Sequence, residues 1–110
     1  MIIPFDSMEL QTLQNFKGGE GAMLAKMYVD DNNRILSATL TPGSSIGLHT
    51  HDTGSEIIYI LKGTGTVLFD DGKDAVSAGM CHYCPKGHTH SLINTGSEDL
   101  VFFAVVPEHP

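Results

Sequence analysis

The fold is decided by the stretch Gly43-Ser44-Ser45-Ile46-Gly47-Leu48-His49-Thr50-His51-Asp52-Thr53-Gly54-Ser55-Glu56-Ile57-Ile58-Tyr59-Ile60-Leu61-Lys62-Gly63. It holds two short runs suited to strands, Ile46 to His51 and Glu56 to Leu61. Between them Asp52-Thr53-Gly54-Ser55 has the residue types that reverse a chain. Side chains two apart on a strand leave the same face, so His49 and His51 aim their ring nitrogens at one point. The reversal returns Glu56 beside them, at the head of an otherwise apolar run where a carboxylate is costly unless paired or coordinated. After Glu56 both alternating faces of that run are apolar, so both need cover. With Glu56, Ile58 and Ile60 turned into a barrel, Ile57, Tyr59 and Leu61 call for a second subunit, and a homodimer is expected.

Outward from this segment the same texture continues. Further strand-like runs span Ala22 to Val29, Arg34 to Leu40, Gly65 to Phe69, Asp74 to Ala78, Cys81 to Cys84, His90 to Asn94 and Leu100 to Val106. Turn-rich clusters separate them, among them Asp30-Asp31-Asn32-Asn33, Thr41-Pro42-Gly43 and Asp70-Asp71-Gly72-Lys73, where Asp71-Gly72 is a hairpin cue. Short, evenly spaced strands without long helical patterns predict an all-β sandwich, barrel or jelly roll in one domain. Residues 1–21 read as an N-terminal arm, with Ser7 to Phe16 a short helix or irregular and Gly18 to Gly21 a loop. Residues 22–110 read as the barrel.

Composition bounds the function. The 110 residues are 41% apolar and 17% charged, an ordinary globular balance. A net charge of -7 repels nucleic-acid phosphates and anionic lipid surfaces, and no helix-turn-helix pattern accompanies it. No apolar run reaches the roughly 18 to 20 residues that cross a bilayer, and Met1-Ile2-Ile3-Pro4-Phe5 lacks the character of a signal peptide. No nucleic acid, no membrane and a cytoplasmic location are therefore expected.

His90 opens a strand after Pro85-Lys86-Gly87, a turn able to deliver it to the cavity of the first three residues. Taken singly, a histidine in a β protein reads as packing or surface, and only the combined pattern argues otherwise. Three histidines and a carboxylate suit Mn, Fe, Co, Ni, Cu or Zn better than Ca or Mg. The expected metal ligands are thus His49, His51, Glu56 and His90, for one divalent transition metal. Cys81-His82-Tyr83-Cys84 invites a CxxC reading, but positions three apart on a strand face opposite sides and no second CxxC follows. His88 and Tyr83 are read as groups able to reach the pocket mouth, and Ile58, Ile60 and Leu92 as apolar neighbours that limit water.

Gly43, five residues, His49, one, His51, four, Glu56, six, Gly63 resembles the first motif of the cupin superfamily at each fixed position. Gly79, five residues, Pro85, one, Gly87, two, His90, three, Asn94 is similar to the second, although Met80 stands where many relatives carry Asp. The resemblance implies a double-stranded β-helix, or jelly-roll, cupin barrel of the small single-domain type, with its metal held by the four residues that chemistry already nominates. Gly43, Gly63, Gly79 and Gly87 are then structural turns, and Asn94 a backbone hydrogen-bonder.

Four side-chain ligands on an ion of octahedral preference leave two positions for water, a chelating substrate or dioxygen. Cupins run dioxygenase, decarboxylase, isomerase and epimerase chemistry as well as binding roles, so the fold does not fix the reaction. The first reading is a metal-dependent enzyme acting on a small polar metabolite that chelates the ion. The second is a metal-dependent small-molecule binding or sensing module without turnover. A storage-type structural cupin, which need not keep the ligand set, ranks third.

Overall fold

The computed structural model describes residues 1–109; Pro110, the last residue of the segment expected to form the barrel, lies outside them. The strands are β1 (Gln11–Gln14), β2 (Ala22–Val29), β3 (Asn33–Leu40), β4 (Ser45–Thr50), β5 (Glu56–Lys62), β6 (Thr64–Phe69), β7 (Gly72–Ser77), β8 (Cys81–Cys84), β9 (Thr89–Ile93) and β10 (Leu100–Pro107). They form two antiparallel sheets, ordered β1-β2-β3-β10-β5-β8 and β4-β9-β6-β7. The last strand, β10, inserts between β3 and β5, closing the first sheet with contacts far apart in the chain. This is the all-β jelly roll that the cupin resemblance implies, one of the architectures the strand pattern allows.

Alternation along each strand builds the core. Met23 and Ala25 of β2, Leu36, Ala38 and Leu40 of β3, Ile58 and Ile60 of β5, and Phe102 and Ala104 of β10 are buried. From the facing sheet come Ile46, Val67 and Leu92. Burying these side chains, each contributing roughly 1.5–3 kcal/mol for a large apolar one, is the principal force holding the sheets together. Glu56 is buried in the same inward row as Ile58 and Ile60, while Ile57, Tyr59 and Leu61 are exposed on the outer face.

The turns carry the long-range tethers. Gly43, Gly63, Gly79 and Gly87 all adopt positive φ, between 82° and 92°, as their motif positions require. At Gly63 a side chain would also run into the backbone of Asp99 and Leu100, so only glycine fits. Buried Asn94 donates from Nδ2 to the carbonyls of Leu40 (2.7 Å) and Glu98 (2.8 Å) and accepts from the Gly96 amide (2.9 Å).

Two local expectations change. The segment Ser7 to Phe16 is neither helical nor irregular throughout, because Gln11–Gln14 pairs with Ala22–Ala25 as an edge strand. The β6–β7 reversal centres on Asp70-Asp71 rather than Asp71-Gly72, with Phe69 paired to Gly72 and Asp70 in the left-handed region (φ 49°). The Asp70 carboxylate sustains that conformation by accepting from the Thr89 amide (3.1 Å) and from His88 Nδ1 (2.6 Å). No helix among the described residues is long and apolar enough to cross a membrane.

Candidate metal centre

His49 lies on β4 beside a bulge. Ile46 pairs with Leu92 and His49 with His90, so three steps on β4 match two on β9. The extra residue lets Ile46 and His49, an odd number of positions apart, both face the cavity while Leu48 points outward. The bulge also brings the Gly47 carbonyl within 2.7 Å of His49 Nδ1. A proton on Nδ1 is thereby held, and Nε2 is left with a free lone pair.

His51 follows β4 directly and is pinned by its backbone: its amide donates to the His88 carbonyl (3.1 Å), and the Gly87 amide donates to its own carbonyl (2.6 Å). The same Pro85-Lys86-Gly87 turn starts β9, which places His90 across from His49. Glu56 arrives from the other sheet as the first residue of β5. Three donors therefore come from one sheet or its edge and the fourth from the other.

The structure brings all four sequence-nominated residues together. One ligand atom from each lies within 4.8 Å of every other. His90 Nε2 is 2.9 Å from His51 Nε2, 3.2 Å from His49 Nε2 and 2.9 Å from Glu56 Oε1. Glu56 Oε1 is 3.0 Å from His51 Nε2 and 3.9 Å from His49 Nε2. Ligands at right angles about an ion with bonds near 2.1 Å stand about 3.0 Å apart, so the spacing suits a transition ion. Neutral imidazoles cannot supply a proton for every one of these contacts, since each carries one and that of His49 is committed to Gly47. The cluster can hold a metal ion in place of the missing protons.

Burial alone would raise the Glu56 pKa, but the three imidazoles of His49, His51 and His90 around it outweigh burial and hold the carboxyl well below its ordinary range. Glu56 is thus an anion inside the barrel, which offsets a bound cation. His49, His51 and Glu56 line a cavity of about 560 Å³, whose apolar wall includes Met23, Met27, Leu36, Ile46 and Val106. Ile58, Ile60 and Leu92, expected as water-limiting neighbours, lie instead in the packed core. Of that wall, β2 supplies Met23 and Met27, β3 Leu36, β4 Ile46 and β10 Val106.

His82, noted in the sequence only within Cys81-His82-Tyr83-Cys84 and without a role, is the one of that group that reaches the cluster. Its Nε2 lies 3.0 Å from Nδ1 of His90, behind the cluster, and its ring packs edge-on to Phe69 at 5.7 Å. Burial, then the neighbouring His90, lowers the His82 pKa, so its neutral form accepts the His90 Nδ1 proton. Strand alternation was the available signal, since Cys81 and Tyr83 are exposed while His82 and Cys84 turn inward. His88 and Tyr83 do not reach the pocket mouth. His88 is held by Asp70 and stacks on Phe69, and Tyr83 is exposed on the outer face. The two cysteines are free, Cys81 exposed and Cys84 buried, in agreement with opposite faces of one strand.

The family model for the cupin domain matches residues 36–106. An oxalate-binding protein from Thermotoga maritima is 37% identical over 113 residues, covering 96% of this chain and 93% of its own. A crystal structure of a predicted oxalate decarboxylase from Thermotoga maritima superposes with a TM-score of 0.92 at 30% identity, covering 99% of this chain and all of that one. A cupin 2 conserved barrel domain protein from Salinispora arenicola aligns with a TM-score of 0.75 at 24% identity, over 98% of this chain and 88% of its own, a likeness of fold alone.

Proposed function

The chain belongs to the cupin family, and from that premise we propose that it binds one divalent transition metal through His49, His51, Glu56 and His90 and uses it to hold a small chelating acid. Oxalate is the first candidate, because a relative similar over nearly the whole chain bears the name oxalate-binding protein. The observation that carries the reading is four donor atoms within 4.8 Å of one another, three of their residues lining one cavity. A bound ion would supply Lewis acidity and, with oxygen as co-substrate, a site for its activation. The chain's own residues do the rest: the Gly47 carbonyl and His82 orient two imidazoles, Glu56 offsets charge, and Met23, Leu36 and Ile46 restrict water. The donor set fits Mn, Fe, Co, Ni, Cu or Zn.

Metal analysis of the purified protein, followed by calorimetric titration of oxalate into its Mn(II), Co(II) and Zn(II) forms, tests this. One metal per chain is expected, with oxalate binding that disappears in Glu56→Ala and His90→Ala. Oxalate binding that survives both substitutions refutes it. Turnover is the second reading, favoured by the likeness to a predicted oxalate decarboxylase. Carbon dioxide release or oxygen uptake by the Fe(II), Mn(II), Ni(II) or Zn(II) forms separates an enzyme from a binding module.

Homodimerisation belongs to the same proposal. Ile57, Tyr59, Leu61 and Tyr83 leave the outer face of β5 and β8 with 40–55% exposed apolar side chains, a surface suited to a second copy. Light scattering at micromolar concentration should give twice the chain mass, and a monomer there removes the idea. A reducing, cytoplasmic setting fits two unpaired cysteines.

A further inference from the structure

Arg34 and the exposed Lys17 are the two basic side chains, histidines aside, that line the cavity of the proposed metal centre, and Arg34, the more buried of them, has no anionic partner among the described residues. It begins the inward face of β3 and lines the same cavity as His49, His51 and Glu56. Its Nε is buried and meets no hydrogen-bond acceptor. The ion pairs of the described residues are all made by histidines, so no carboxylate of the described residues lies within ion-pair distance of the guanidinium. A buried donor of a charged group left without an acceptor is expensive and calls for an explanation.

The sheet order locates this charge relative to the metal ligands. Arg34 pairs with Val106 of β10, and the neighbouring Val105 pairs with Ile57 of β5. One strand therefore separates Arg34 from Glu56, about 10 Å at the backbone by ordinary strand spacing. Both side chains line the same cavity of about 560 Å³, with Val106 on the strand between them, a volume with room for a ligand of a few heavy atoms.

We propose that Arg34 is the anion anchor of this cavity, binding one carboxylate oxygen pair of a small dicarboxylate whose remaining oxygens face His49, His51, Glu56 and His90. The inference rests on the proposed metal-dependent binding and deepens it by naming the residue that selects an acid over a neutral chelator. A guanidinium presents its two terminal nitrogens as a planar fork that matches a carboxylate, which an ammonium cannot do, and with the Arg34 Nε buried these are the nitrogens that would meet the ligand. Asp30, Asp31, Asp52 and Glu108 also line the cavity but are exposed, so water and salt screen them more than they screen the buried Nε. Asp30 is further engaged by the amides of Asn32 and Asn33.

The test titrates oxalate into the Co(II)-loaded wild type, R34Q and R34K, with Co(II) affinity and thermal midpoint measured on each chain. R34Q should weaken oxalate roughly 10- to 100-fold, the loss expected for a charged hydrogen-bond pair, with Co(II) affinity unchanged within about twofold. R34K should recover only part of the oxalate affinity. Wild-type oxalate affinity in R34Q overturns the inference while leaving the metal-dependent reading intact. Loss of Co(II) binding in R34Q overturns it too, by making Arg34 a structural residue. Absence of oxalate binding by the Co(II)-loaded wild type fails the underlying reading, and the anchor falls with it.

Discussion

Replacing His82 with leucine should damage the metal centre from behind. His90 is 1% exposed, and the His82 ring nitrogen 3.0 Å away is the described partner of its Nδ1. Leucine leaves that nitrogen buried without an acceptor, at a cost of about 1–3 kcal/mol. For a domain of this size that is a fall of roughly 5–15 °C in the apoprotein's thermal midpoint. The same change frees the His90 tautomer, and loss of such an outer partner of a ligating histidine lowers metal affinity by roughly 10- to 100-fold. Circular dichroism melting of the apoprotein and calorimetric Co(II) titration read the two effects separately. His82→Gln keeps a polar atom able to face His90 and should restore part of both. The reasoning fails if His82→Leu binds Co(II) as tightly as the wild type. It also fails if glutamine rescues neither quantity, since packing against Phe69 would then be all that His82 contributes.

Acid should destabilise the apoprotein in two steps. His82, whose folded pKa is lowered below 6.5, contributes stability present above that value and lost as pH falls through the folded pKa. Glu56, lowered below 4.5, contributes stability present above that pH and lost further down. Urea midpoints measured from pH 8 to pH 3 should decline in that order, and a midpoint that rises on acidification contradicts both. Cys84 is buried, with its pKa pushed up to about 11 by desolvation and the charges of Glu56 and Asp70, whereas Cys81 is exposed. A thiol reagent at pH 8 should therefore modify one cysteine in the native protein and two in denaturant, and fast native labelling of both would refute the placement. Metal should raise the thermal midpoint by mass action, about 2.7 kcal/mol of stabilisation at a free concentration of 100 times Kd. Chelation should reverse the rise, and Glu56→Ala should abolish it at that concentration.

The legible part of this protein is the part written in local spacing. His49 and His51 share a face because they are two apart, Glu56 follows a reversal, and glycines mark the positive-φ corners, so the convergence of His49, His51, Glu56 and His90 and most strand limits could be read from the chain. What escaped required knowing which strand lies beside which. Gln11-Thr12-Leu13-Gln14 offers one apolar residue in four, and its strand exists because β2 presents an edge to it. The β6–β7 turn shifts by one residue because Asp70 finds its acceptor role on β9, a strand some twenty positions onward.

Arg34 and His82 show the same limit at the functional level. Neither is a fixed position of a motif, and each becomes informative only through a cross-strand relation: Arg34 through the β3-β10-β5 order, His82 through its contact from β8 to β9. The donors themselves straddle the two sheets, with Glu56 on one and the histidines on or beside the other. An ion at their centre would therefore tie the two layers at the end where the cavity opens, while the apolar core fixes them at the other. In such a barrel, ligand binding, metal binding and sheet packing share the same few side chains, so a substitution at Glu56 should act on all three, whereas one at Arg34 should act on the ligand alone.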